Sequence, residues 1–182
     1  MKSSTVKDMT KFRMLNILIS HYGIKNGGGY GRTFLLAKEL SSLGHNVTLL
    51  TSQSKYAAFP FHKEIINSLT VLSFPDFAPP QVRHAGYGPL NILLKSLYSA
   101  FNNFDIVQSD SGHRPSAGIP CVINRLFCGS KYVSEWWDFF GKGGIYDWQA
   151  RWKQLSIGAI DTWAELHNKK IADGVVALSS FT

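Results

Sequence analysis

Cysteine is scarce in this sequence: the 182 residues include two, Cys121 and Cys128, which stand seven positions apart. That spacing fits neither a C-x-x-C redox pair nor a zinc-binding pattern, and the low cysteine content excludes a disulfide-rich secreted scaffold. The six histidines are scattered, with no two at metal-ligand spacing. We therefore expect two reduced thiols and no metal site.

Long hydrophobic runs are also missing. No stretch approaches the roughly 18 apolar residues that a membrane-spanning helix needs. The first residues, MKSSTVKDMTKFR, lack the apolar core of a signal peptide. We expect a cytoplasmic chain in which residues 1–13 form a basic tail and residues 14–182 form one domain.

Carboxylates are the third deficiency, with 12 Asp and Glu against 19 Lys and Arg and a formal net charge of +7. Such a balance favours an acidic partner, which could be a nucleic acid, an anionic lipid surface or a phosphorylated small molecule. Charge alone does not choose among these three. The 45% hydrophobic content is typical of a globular domain and excludes a disordered chain.

The most informative stretch runs from Leu15 to Thr51. It contains an apolar run (Leu15–Ile19), a glycine-rich loop, an amphipathic run (Arg32–Leu43) and a second apolar run (Val47–Leu50). This order predicts a strand, a glycine turn, a helix and a strand. Glycine backbone can approach a ligand closely, and a helix start attracts anions. An anion is therefore the expected ligand, and a tight turn without a ligand is the alternative.

The rest of the chain continues to alternate between strand and helix patterns. Four more strands are predicted, at Thr70–Phe74, Asp105–Ser109, Lys131–Glu135 and Gly174–Leu178. Helices are predicted at His62–Ser68, Pro89–Phe104, Ile119–Phe127 and Leu155–Ile171, and an irregular loop at Pro75–Tyr87. The alternation predicts an α/β fold: a Rossmann-like, doubly wound parallel sheet of about six strands in the order 3-2-1-4-5-6, with helices on both faces.

Two familiar nucleotide-binding motifs do not match this stretch. In a G-x-G-x-x-G reading that starts at Gly29, the third glycine position holds Phe34, and no carboxylate follows the second strand to bind a ribose. The Gly-Lys pair of a P-loop is missing as well. The nicotinamide dehydrogenase and P-loop classes both lose their support.

Four segments taken together resemble the N-terminal half of the family-four glycosyltransferases, which have two Rossmann-like domains in the GT-B architecture. The segments are Gly28–Arg32, Leu36–Leu40, Leu43–Val47 and Ala172–Ser179. The resemblance implies transfer of a sugar from a nucleoside-diphosphate sugar, usually with retention of configuration and without an essential metal or other cofactor. It also implies that the donor-binding C-terminal domain is absent from this chain, which we expect to be inactive alone.

The resemblance assigns the glycine loop to the donor. Gly28, Gly29, Tyr30, Gly31 and Arg32 would face its diphosphate, where backbone N–H groups stabilise the charge that develops as the sugar leaves. Arg32 is either a phosphate clamp or a surface charge.

The acceptor side departs from the family at one point, because many relatives have a His-Asp pair where this chain has Trp137-Asp138. Asp138 or Glu135 could orient an acceptor hydroxyl or take its proton, and the alternative is that both merely cap a loop.

Acceptor binding is assigned to Asp110, His113, Arg114 and Trp137. Relatives also often keep a glutamate at the position of Glu165, which a helix-surface salt bridge explains equally well.

The expected partners follow from these assignments: a nucleotide-sugar donor, a glycan or lipid-linked acceptor, the C-terminal domain and, peripherally, the anionic inner membrane surface, but no nucleic acid. The four aromatic side chains of the run Trp136–Phe140 cannot all point inward, so one or two of the rings could stack on a sugar or touch lipid. A non-catalytic module that binds a phosphorylated ligand or a membrane surface is the alternative.

Overall fold

The computed structural model describes residues 13–53, 61–136, 140 and 143–177, and within them a sheet of seven strands is flanked by helices. The strands are β1 Asn16–Ile24, β2 Asn46–Ser52, β3 His62–Ile66, β4 Leu69–Phe74, β5 Ile106–Ser109, β6 Lys131–Trp136 and β7 Gly174–Ala177. The helices are α1 Tyr30–Ser42, α2 Pro80–His84, α3 Pro89–Ala100, α4 Pro115–Cys128, α5 Arg151–Leu155 and α6 Ile157–Ile171, with a 3₁₀ helix at Ile145–Trp148.

The strand order is β3-β4-β2-β1-β5-β6-β7. All neighbours pair in parallel except β3, which pairs antiparallel with β4 at one edge. The six strands predicted from the sequence are β1, β2, β4, β5, β6 and β7, and they lie in the predicted order 3-2-1-4-5-6. The Rossmann-like α/β fold is therefore confirmed, with β3 as an addition.

Both faces of the sheet are buried, as helices on both sides require. Ile17 and Ile19 of β1 pack against α1, where they meet Ala37, while Leu18 between them packs on the opposite face with Cys121 of α4. Each fully buried aliphatic side chain of this kind contributes about 1.5 to 3 kcal/mol to stability. This burial on both faces fixes β1 at the centre, so that its carboxyl end lies at the middle of the sheet edge.

The segment predicted as a helix at His62–Ser68 is a strand instead. Asn67 adopts a left-handed conformation with φ of 55°, and the chain reverses there so that Ile66 pairs with Leu69. Asparagine tolerates this conformation better than most residues. The run of five residues before it is too short for its periodicity to separate a strand from a helix.

Other boundaries also differ from the prediction. β1 continues to Ile24, five residues beyond its predicted end, which places His21 inside the strand. The proline-rich segment Pro75–Tyr87 is not wholly irregular, because Pro80 occupies the first position of the short helix α2, where its missing N–H costs nothing. The predicted helix Leu155–Ile171 begins at Ile157 as α6, and Leu155 instead ends the separate short helix α5.

Glycines in left-handed conformations follow two of the helices. Gly44, just after α1, has φ of +93°, and Gly129 at the end of α4 has φ of +73°. Both are left-handed conformations that a residue with a Cβ adopts only under strain. No helix within the described parts of the chain is long and apolar enough to cross a membrane.

Candidate functional site

The glycine loop lies directly beyond the carboxyl end of β1. Its own backbone holds it, with the Gly27 N–H donating to the Ile24 carbonyl (3.0 Å) and the Tyr30 N–H to the Gly27 carbonyl (3.1 Å). Gly29 takes a left-handed conformation, with φ of 75°, at the position preceding α1. The loop is thus a defined turn that begins a helix at the sheet edge where α/β folds bind ligands.

Two of the predicted donor-binding glycines border open space. A Cβ added to Gly28 or Gly31 would meet no atom within 4 Å, whereas one added to Gly27 would collide with Ile24. The start of α1 has neither a side-chain cap nor a carboxylate in its first turn. Gly28 and Gly31 therefore leave room for a ligand beside a helix terminus that favours negative charge.

Tyr30, also predicted to bind the donor, is turned into the core. Its ring stacks on Phe34 with centroids 5.7 Å apart. Burial, and secondarily the charge of Glu64, raises the pKa of Tyr30 to about 12. The side chain of Tyr30 therefore anchors α1, and only its backbone lies along the loop.

Arg32 and Glu135, one predicted for the donor and the other for catalysis, form an ion pair. Arg32 Nη2 donates to Glu135 Oε2, and Gln108 Nε2 of β5 donates to Glu135 Oε1. The Glu135 carboxylate is largely buried, while Arg32 is about one-third exposed. The structure thus brings together two residues that lie 103 positions apart in the chain.

Asp110, predicted to bind acceptor, lies fully buried beneath the glycine loop. Its Oδ2 accepts from His21 Nδ1 and from Thr33 Oγ1 (3.0 Å), and its Oδ1 accepts from the backbone N–H of Tyr22 (3.1 Å). A carboxylate so occupied orients its neighbours rather than contacting solvent. The cluster ties β1, α1 and the end of β5 together directly under the loop.

Sequence reasoning missed His21 as a member of this cluster. Its Nδ1 bonds to the acceptor Asp110, and its Nε2 is buried without a hydrogen-bond partner among the described residues. The ring is completely buried, so the pair supports the loop from below. The signal that could have identified it is a histidine two residues after the apolar run Leu15–Ile19, close to the glycine loop.

Lys95 of α3 is the second residue that the sequence did not reveal. Its ammonium nitrogen is completely buried and lies 2.7 Å from the His21 carbonyl and 3.5 Å from the Ser116 carbonyl. Burial lowers the pKa of Lys95 to about 7, an effect that the nearby Asp110 charge partly opposes. In the sequence, Lys95 falls within the helical pattern of α3, where lysine is ordinarily exposed.

The predicted acceptor residue Arg114 belongs to a second cluster, beyond the end of β5. Arg114 Nη1 lies 3.1 Å from Asp161 Oδ2 of α6 and 3.3 Å from the Tyr87 hydroxyl. Tyr87 donates to Asp161 Oδ1, and Tyr146 donates to Asp161 Oδ2 (2.5 Å). Burial and the Asp161 carboxylate strongly raise the pKa of Tyr87. Asp161 thus joins three separate segments of the chain through one carboxylate.

His113, also predicted to bind acceptor, stacks on Phe140 with ring centroids 4.4 Å apart. Burial lowers the pKa of His113 to about 3, with Arg114 and Lys169 adding to the effect. The imidazole is therefore neutral near pH 7. Its Nε2 is buried and unpartnered among the described residues, so it can offer a single hydrogen bond but not a positive charge.

A cleft of about 590 Å³ opens above the Asp161 cluster, between α2 and the segment from the 3₁₀ helix into α6. Its apolar lining consists of Val82, Ala85, Phe140, Ile145, Ile157 and Ile160. Its polar lining includes Tyr87, Arg114, Tyr146 and Lys153. Apolar walls with a few convergent polar groups are typical of a small-molecule site.

Glu165 is buried, not on the helix surface. Trp136 Nε1 donates to its Oε1 (2.8 Å), and Lys169 Nζ lies 3.7 Å from the same oxygen and 3.1 Å from the centre of the Trp136 ring. The salt bridge within α6 therefore exists, and it also anchors the end of β6. Trp137 and Asp138, the remaining predicted site residues, lie outside the described residues.

The described ranges contain no cluster of three or more His, Cys, Asp or Glu that could hold a metal ion. The fold and the loop define the class of the protein as a Rossmann-like α/β domain whose candidate ligand site lies at the carboxyl edge of the sheet. Comparison of the sequence with protein-family models and with curated proteins finds no match. The assignment of the site thus depends on its geometry and chemistry.

Proposed function

We propose that this chain is the acceptor-side domain of a glycosyltransferase of the GT-B architecture. Together with a donor-binding domain, it would transfer a sugar from a nucleoside-diphosphate sugar to an acceptor, with retention of configuration. The observation that carries the proposal is the open space at Gly28 and Gly31, beside the uncapped start of α1 and beyond the end of the central strand.

The glycine loop supplies electrostatic stabilisation in this proposal. As the sugar leaves, negative charge builds up on the diphosphate, and backbone N–H groups that already point at it stabilise the transition state without reorganising. The buried cluster of His21, Asp110 and Thr33 keeps the loop and α1 in place. Arg32, exposed on one side, adds positive charge beside the diphosphate while it remains within reach of Glu135.

Glu135 is the acceptor-side carboxylate of the proposal. Arg32 and Gln108 orient its carboxylate, which could accept a hydrogen bond from the acceptor hydroxyl. The cleft of about 590 Å³ lies further along the same edge and would hold the acceptor. Its apolar walls suit an acceptor with an apolar portion, such as a lipid-linked sugar, better than a fully hydrated glycan.

The decisive experiment assays the full-length gene product with a panel of uridine and guanosine diphosphate sugars, with release of nucleoside diphosphate and the mass of the acceptor as readouts. We expect transfer by the full-length protein and none by the 182-residue chain. A gene product without a second Rossmann-like domain, or a full-length protein that releases no nucleotide with any donor, would remove the proposal.

The alternative is a module that binds without catalysis, using its positive charge and exposed apolar surface. One surface of this chain, described below, favours contact with a membrane in particular, and it would do so whether or not the domain is part of a transferase.

A further inference from the structure

The segment between β6 and α6 exposes its apolar side chains. Neither the 3₁₀ helix nor α5 contains a buried residue. Trp148 is 90% exposed, Trp152 64% and Leu155 75%. We call these three residues, together with the exposed Arg151 and Lys153 between them, the tryptophan face.

Such a surface is unusual for a segment this short. A helix of five residues is not stable by itself in water, because it gains too little to offset the conformational entropy that it loses. Two tryptophans and a leucine held in solvent add an unfavourable apolar area. The adjacent side of α6 extends this area with Ile160 and Trp163, which are also exposed. The arrangement indicates a partner that covers the face.

The charges of this region identify the partner. Arg151 and Lys153 are exposed, while Asp161 and Glu165 of α6 are buried in their own ion pairs. Asp147 is exposed, and its carboxylate accepts a hydrogen bond from the Gly143 N–H (3.0 Å). The exposed cations Arg151 and Lys153 outnumber the exposed carboxylate Asp147, so the outward surface is apolar with a net charge of +1 (two minus one), which complements an anionic lipid surface.

The rings themselves suit the boundary of a bilayer. Tryptophan combines a large apolar ring with one N–H donor, and it favours the level of the lipid headgroups, where both parts are satisfied. Lys153 contacts the face of the Trp152 ring at 5.7 Å from its centre, so cation and ring are presented side by side. Lys153 also lines the cleft, which places the cleft at the border of the tryptophan face.

We propose that the tryptophan face docks on an anionic lipid bilayer. Trp148, Trp152 and Leu155 enter the headgroup region, and Arg151 and Lys153 contact lipid phosphates. The contact needs no sugar transfer, so it can be tested independently of the proposed function.

The test is sedimentation of the 182-residue chain with vesicles of phosphatidylcholine alone or with about one-third phosphatidylglycerol, a content that gives the surface a negative potential. We expect binding to the anionic vesicles that weakens as salt is added. Replacing both Arg151 and Lys153 by Glu should lower the partition constant by about fivefold or more per residue. Trp148→Ser combined with Trp152→Ser should lower it by about tenfold.

Phe127→Ser is the matched control, because Phe127 is 76% exposed at the end of α4, on the opposite edge of the sheet. It should bind vesicles as the unchanged chain does, and circular dichroism should show every variant folded. Failure of the chain to bind anionic vesicles would overturn the proposal, as would an equal loss in the Phe127 variant. Light scattering could instead show that the unchanged chain is a dimer and that the tryptophan substitutions make it a monomer. That result, without vesicle binding, would assign the face to a second copy of the chain.

Discussion

A buried amine at position 95 is a marked electrostatic feature at the scale of single residues. The Lys95 ammonium has no ion-pair geometry with any described carboxylate and relies on the carbonyl oxygens of His21 and Ser116. The charged form is disfavoured in such surroundings. Because the two carbonyls belong to β1 and α4, the amine links both elements beneath the glycine loop, and its protonation state affects the stability of that junction.

The pH dependence of stability follows from the lowered pKa of Lys95. Between about pH 7 and its ordinary value of 10.5, the unfolded chain binds a proton at this residue that the folded chain does not. The contribution of Lys95 to the free energy of unfolding should therefore rise with pH in this window, by at most about 1.4 kcal/mol per pH unit. Below pH 7 the contribution should be constant and unfavourable.

Urea unfolding of the unchanged chain and of Lys95→Met, measured from pH 6 to pH 10, isolates this contribution, because the other titrating groups cancel in the difference. A difference that stays flat across the window would show that Lys95 keeps its ordinary pKa in the folded protein.

Substitution of Gly28 can distinguish a ligand-binding role of the glycine loop from a purely structural role. Its added Cβ meets no atom within 4 Å, so Gly28→Val should change the free energy of unfolding of the 182-residue chain by less than about 1 kcal/mol. If the proposed function holds, the same substitution in the full-length protein should reduce turnover by about a hundredfold, because the new side chain would occupy the space that the donor diphosphate approaches.

Gly118→Val provides the contrast, because a Cβ there would collide with the Gly112 carbonyl. That variant should lose about 4 kcal/mol of stability or more. Normal turnover in Gly28→Val would remove the loop from the mechanism.

At the scale of elements, burial explains what the sequence could and could not predict. The runs at Val47–Leu50 and Thr70–Phe74 become strands because both faces of a parallel sheet are covered, and a nearly continuous apolar pattern signals such strands. The segment at β3 has only one neighbour and alternates weakly, so its five residues fit a helix equally well. Asn67, where the chain reverses, is the residue that distinguishes a strand followed by a turn from a helix in this segment.

The candidate site was only partly predictable for a related reason. Gly28 and Gly31 could be recognised because the conformational freedom of glycine is a property of the residue itself. Asp110, Arg114 and Glu135 could be recognised because they follow or end predicted strands whose carboxyl ends meet at one edge of the sheet. Their partners could not be predicted, since hydrogen bonds such as His21 to Asp110 depend on strand register across 89 positions of sequence. The aromatic run Trp136–Phe140 was expected to supply one or two exposed rings, and residues 137–139 of it lie outside the described part of the chain. Trp148 and Trp152, which the sequence did not single out, are strongly exposed.

Asp161 should stabilise the contact between α6, the 3₁₀ helix and the loop after β5. Asp161→Asn leaves the Arg114 guanidinium with less compensation in a mostly buried site, so it should cost about 3 kcal/mol. Asp161→Asn combined with Arg114→Gln should cost less, because both charges are removed together. Urea unfolding measures both.

An exposed pair serves as the control for that experiment. Arg13 lies 3.0 Å from Asp105 in solvent, and Arg13→Gln should change the free energy of unfolding by about 1 kcal/mol or less. An Asp161→Asn effect no larger than that of Arg13→Gln would show that the cluster does not hold these elements together.

At the scale of the whole molecule, the proposed function makes the glycine loop one wall of a site whose other wall belongs to a donor-binding domain. A ligand that needs both walls should bind the complete protein far better than this domain. Uridine or guanosine diphosphate at a hundred times its dissociation constant should raise the free energy of unfolding of the full-length protein by about 2.7 kcal/mol. The same concentration should leave the melting temperature of the 182-residue chain unchanged.

Thermal unfolding with and without each nucleotide measures both effects, and Gly28→Val in the full-length protein should weaken the stabilisation. An equal shift for the domain and the full-length protein would mean that the loop alone forms the nucleotide site, and that this domain holds the donor.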